Sequence, residues 1–121
     1  MAVSTDYANT ILSALFQGAT IGLSTTAPNK AGGNITEPAA SAGYARVQAS
    51  QGSFKAENGK ITNGAYVYFP EATASWGTVS HLCIYGGTTL RYFGAFTTPR
   101  QIVASSVPLF RPGALNVTMT D

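Results

Sequence analysis

The chain has 121 residues, of which 10 % are charged and 45 % hydrophobic, with a net charge of +2; an average soluble protein carries about 25 % charged residues. That length makes one domain around one core, and the seven basic residues (Lys30, Arg46, Lys55, Lys60, Arg91, Arg100 and Arg111) form no run; nucleic acid requires a clustered basic face, which only folding could make, by gathering Arg46, Arg91, Arg100 and Arg111, and no nucleic-acid partner is expected. Few charges of either sign leave little to oppose association, so a homo-oligomer or lasting docking to neighbours is expected.

The N-terminal segment MAVSTDYANTILSALFQG lacks a basic n-region and carries Asp6, which argues against a signal peptide. It reads as a helix. Ala8, Ile11, Leu12, Leu15 and Phe16 recur as one apolar stripe, with Ser4, Thr5 or Asp6 available as N-cap and Gly18 placed to end it. No apolar run approaches the roughly 20 residues needed to span a bilayer, and no membrane partner is expected.

Everything after Thr20 reads as β. ATIGLST is a short strand leading into a Pro- and Gly-rich segment over 25–43, too long for a hairpin connection. GYARVQA alternates, with Tyr44, Arg46 and Gln48 on one face. SFKAE and KITN flank Asn58-Gly59, a hairpin signal because both central residues of a type I′ turn need positive φ. AYVYF sets Tyr66 and Tyr68 on one face and Val67 and Phe69 on the other; Pro70 ends it.

GTVSHLCIY and TTLRYFGAF flank Gly86-Gly87, read as a second tight hairpin, and Thr97-Thr98-Pro99 is expected to break the chain before RQIVA. Pro112-Gly113 suits the centre of a type II turn between SVPLFR and ALNVTM. Eight or nine short strands follow. The fold class is all-β: an antiparallel sandwich or jelly-roll-like fold with one short N-terminal helix. Val67, Phe69, Trp76, Leu82, Ile84, Phe93, Leu115 and Val117 are the expected core.

The segment YFPEATASWGTVSHLCIYGG holds the only Trp, His and Cys. A period of two places Val79, His81, Cys83 and Tyr85 on one strand face and Thr78, Ser80, Leu82 and Ile84 on the other. His81 beside Cys83 suggests a nucleophile pair or half a metal site. The complement is missing: a structural zinc needs four ligands, a thiol nucleophile needs its imidazole oriented by a third group, and Glu71 is the only nearby acid. One Cys gives no intramolecular disulfide. The expectation is packing rather than chemistry, with no enzyme activity, no cofactor and no metal. Tyr44, Tyr66, Tyr68, Tyr85, Tyr92 and Trp76 offer a sugar platform, although aromatics at strand spacing are more often core or cross-strand pairs.

The series LSTTAP, ITEP, GYARV, FPEATASWGTVSHLCIYGG, YFGAFTTPR and PGALNVTM resembles a family of small virion proteins of tailed bacteriophages labelled tail-fibre-like. The resemblance covers nearly the whole chain; its most specific part is FPEATASWGTVSH followed by YFGAFTTPR. It carries no catalytic residue, and Cys83 is not part of the pattern. It implies a structural protein of the virion, partnered by the major capsid protein or by tail proteins. The chain has no heptads, β-helical repeats or collagen-like triplets to build a shaft, and its radius is about 14 Å by compact-globule scaling, which favours a capsid decoration, or cement, protein. The alternative is a tail fibre or tail-tip subunit, with a surface glycan as a further partner. Contact is expected through the loop 25–43, with Lys30, Asn34, Ile35 and Glu37, while Ile11 and Leu15 of the helix stripe either cap the core, the favoured reading, or add an apolar contact.

Overall fold

The computed structural model describes residues 3–118. Ser4 opens helix α1 (Thr5–Phe16): its Oγ accepts the Tyr7 N–H at 3.2 Å, and Asp6 lies in the first turn, where the helix dipole favours a carboxylate. Gln17 is the C-cap, and Gly18 at φ 64° turns the chain into the first strand. Among the described residues nine strands follow: β1 (Ala19–Ser24), β2 (Val47–Gln48), β3 (Phe54–Glu57), β4 (Lys60–Asn63), β5 (Val67–Tyr68), β6 (Gly77–Gly86), β7 (Thr89–Ile102), β8 (Leu109–Phe110) and β9 (Asn116–Thr118). Met119 lies outside the described residues.

The strands form a four-stranded sheet in the order β2-β1-β6-β7, a three-stranded sheet β3-β4-β9 and a two-stranded ribbon β5-β8. Every pairing is antiparallel. The arrangement is sandwich-like, as the alternation implies. Ile21, Leu23, Leu82 and Ile84 of the large sheet, Ile61 and Val117 of the small one, and Val67 and Phe110 of the ribbon share one buried cluster. Each such side chain contributes about 1.5 to 3 kcal/mol of transfer free energy.

Helix α1 packs against β3, β4 and β1 and closes one side of this core. Ala8, Leu12 and Phe16 are buried, and Phe16 stacks on Phe54 with ring centres 4.2 Å apart. Leu15 is half-buried and Ile11 exposed, so the buried stripe is narrower than the expected one. The Arg91 guanidinium accounts for the helix end: Nη1 donates to the carbonyls of Leu15 and Gln17, both at 3.0 Å. Cations are stabilising at that pole.

Several turns fall where composition places them. Glu57 pairs with Lys60 around Asn58 (φ 54°) and Gly59 (φ 74°), both in the left-handed region. Gly113 has φ 85°, and the Ala114 N–H closes the type II turn on the Arg111 carbonyl at 3.0 Å. Trp76 is buried, and its indole N–H donates to the Ala42 carbonyl at 2.8 Å.

Four expectations need correction. The second hairpin turns at Gly87-Thr88, because Gly86 is still paired with Thr89; a Cβ on Gly86 would collide with the Arg91 guanidinium. Pro99 does not break the strand. Ala95 pairs with His81 and Arg100 with Val79, so residues 96–99 bulge opposite Ser80 and β7 continues. That same bulge shifts the alternation, placing Val79 in the core with Leu82 and Ile84 rather than beside His81 and Cys83. Phe93 is only half-buried: it pairs with Cys83 on the face of the sheet turned away from the core.

Candidate functional site

The loop 25–43 folds back over that outer face as an ordered unit. Asn29 Oδ1 accepts the N–H groups of Ala31 (3.0 Å) and Gly33 (2.9 Å), and Asn34, at φ 60°, donates through Nδ2 to the Ala27 carbonyl at 2.8 Å. Thr25 and Thr36 close its base, the Thr25 N–H reaching the Thr36 carbonyl at 2.9 Å. Asn34 is therefore a brace of the loop rather than a free contact. Lys30 is exposed and borders a shallow depression with Leu90, Tyr92 and Phe93; Ile35 is half-buried.

Glu37 is internally engaged. Arg46 grips it with two parallel bonds, Nε to Oε1 and Nη2 to Oε2, both 2.9 Å, and Tyr44 donates to Oε1 at 2.6 Å. Burial raises the Glu37 pKa, but the bonds from Arg46 and Tyr44 and the guanidinium charge outweigh it, leaving the carboxyl below its ordinary range. The Tyr44 hydroxyl accepts the Leu23 N–H at 3.0 Å, and burial together with Glu37 pushes its pKa up. Arg46 also lies 3.6 Å from the centre of the Tyr85 ring. Gly22 makes the cluster possible, since a Cβ there would stand 2.8 Å from both Glu37 Oε1 and the Tyr44 oxygen.

His81 and Cys83 share the outer face, as the alternation implies. His81 Nδ1 is 2.8 Å from Ser80 Oγ. Cys83 is buried beside Tyr85, and burial pushes its thiol pKa up, away from the thiolate a nucleophile needs. Among the described residues, no three His, Cys, Asp or Glu side chains gather as a metal site would require.

The structure thus brings Lys30, Asn34, Ile35 and Glu37 together in one loop over the large sheet, and sets Ile11 and Leu15 apart on the helix. Of the aromatics that offered a sugar platform, Tyr44, Trp76 and Tyr85 are buried, while Tyr66 and Tyr68 mark a third surface, the outward face of the β5–β8 ribbon. Tyr68 (53 % exposed) and Leu109 (41 %) pair across it, and just beyond the strand ends Tyr66 (52 %), Val107 (45 %) and Arg111 are exposed as well. The alternation of AYVYF already grouped Tyr66 and Tyr68; nothing in composition said that their face stays uncovered.

The described residues thus present an ordered loop, an exposed ribbon face and a closed ion-pair cluster. A search of curated proteins finds no match. A family model described as Podophage GP4 fiber I protein gp80 matches residues 2–118. With nearly its whole length matched, the chain belongs to that family and is a structural protein of a phage virion.

Proposed function

We propose that this chain is a non-enzymatic subunit of the virion's fibre apparatus, attached through the ordered loop 25–43 to a tail protein. The observation that carries the reading is the match of residues 2–118 to a family described as a fiber protein. In support, the loop is internally braced and so presents Lys30 and Ile35 at little ordering cost. A buried thiol of raised pKa, and a His81 whose Nδ1 partner is the adjacent Ser80 hydroxyl rather than a carboxylate, favour a role without catalysis. A second reading, capsid decoration, is favoured by the sequence pattern: these 121 residues carry no heptads, β-helical repeats or collagen-like triplets.

Gold-labelled antibody against the chain, applied to intact virions and to separated tails and heads, distinguishes the two. Label on tails supports the fibre reading; label confined to heads supports decoration and overturns it. Replacing residues 29–33 by an equal length of Gly and Ser should leave a folded protein that no longer sediments with purified tails. Undiminished sedimentation would show that the loop is not the attachment.

A further inference from the structure

We infer that the outward face of the β5–β8 ribbon is a dimerisation surface, occupied by the same face of a second copy of this chain around a two-fold axis parallel to the strands.

The ribbon has one outward backbone group engaged on each edge and is open on its face. The outward Tyr68 N–H is taken by Gln51 Oε1 at 2.6 Å, and the outward Leu109 carbonyl by Arg100 Nη1 at 2.9 Å. Extension by strand addition is therefore blocked at this register. Val67 and Phe110 fill the inner face and are buried. What remains free is a strip of two tyrosines, a leucine and a valine, the side-chain types that anchor interface centres.

Register and charge select the occupant. Tyr68 pairs with Leu109, and the pairing continued by one residue sets Tyr66 opposite Arg111. A two-fold axis along the strands lays the tyrosine column of one copy over the Arg111–Leu109–Val107 column of the other. Tyr68 then covers Leu109 twice, and each Arg111 guanidinium meets the Tyr66 ring of the partner copy, a complementary cation–π pair. An axis across the strands would set Arg111 over Val107 and leave the charge without a partner. Among the described residues the only ion pair is Arg46–Glu37, and no described carboxylate engages Arg111. The face itself carries no acid, and a net charge of +2 opposes self-association weakly.

Five side chains form the centre of an interface rather than its full extent, so the dissociation constant should lie roughly in the micromolar range. Sedimentation equilibrium of the purified full chain should report two copies per particle. Tyr68→Ser, Leu109→Ser and Arg111→Glu should each weaken the dimer by about tenfold or more, while Tyr68→Phe, and Tyr7→Ser on the exposed side of α1, keep it. Circular dichroism confirms that the variants fold, as expected for exposed positions. A monomeric or three-copy parent, or a dimer undiminished in both Tyr68→Ser and Leu109→Ser, overturns the inference. So does a glycan-array signal from a monomeric parent that Tyr68→Ser abolishes.

Discussion

Asn63 and Leu115 are joined twice: the Asn63 side-chain Oδ1 accepts the Leu115 N–H at 2.9 Å, and the Asn63 N–H reaches the Leu115 carbonyl at 3.3 Å. Asn63 Nδ2 donates to the carbonyls of Ala65 and Arg111, both at 2.9 Å, so a buried amide is fully used. It ties the chain leaving β8 to the end of β4. Asn63→Leu would strand a buried N–H and should cost about 1 to 3 kcal/mol, read as a lowered urea midpoint. An unchanged midpoint would mean that water replaces the amide.

The Glu37 cluster predicts a pH dependence. Its carboxyl titrates below the ordinary 4.5, so the ionised form is favoured by folding. The stability is present above that ordinary value and is lost as pH falls through the folded pKa. Glu37→Gln should cost about 1 kcal/mol near neutrality, the partial exposure of the pair keeping it small. Urea titrations of parent and variant should converge as pH is lowered below the ordinary 4.5 and through the folded pKa; a gap independent of pH would assign the effect to packing.

Gly86 and Arg91 act as a unit, because the space above Gly86 holds the guanidinium that caps α1. Gly86→Ala should displace Arg91 and mimic Arg91→Ala, each costing about 1 kcal/mol. The double variant should cost clearly less than the sum. Strict additivity in thermal melts would separate the two roles.

Cys83 is buried under the loop and its thiol is held protonated. Iodoacetamide should label it in urea and leave the native protein untouched over hours. Cys83→Ser should lower stability by at most about 1 kcal/mol. Rapid native labelling would show that the loop opens.

Much of the fold is written in short patterns. Asn58-Gly59, Pro112-Gly113 and the Ser4-to-Gly18 helix depend on local φ values and caps, which sequence encodes directly. The Gly86-Gly87 turn slipped by one residue and the parity of Val79 was inverted, because a bulge opposite Ser80 depends on how two strands meet. The candidate surface was legible in part. The loop 25–43 announced itself by length, whereas the engagement of Glu37 with Arg46, nine residues on, and the exposure of Tyr68 are properties of packing. Arg91 is likewise invisible as a cap, since it acts on a helix 74 residues away.

The central position of β6 sets the order in which the molecule can assemble. Its pairing with β7 closes across a two-residue turn, but its pairing with β1 joins Ile21 to Ile84, and β4 meets β9 through Ile61 and Val117. Both of these wait for loops of more than fifty residues to close, an entropic cost met before the core rewards it. The β6–β7 and β3–β4 hairpins, each closed by a two-residue turn, can therefore form first, and the β1–β6 and β4–β9 pairings follow. Refolding on the millisecond-to-second scale follows, during which the apolar faces of β1 and α1 have nothing to cover them.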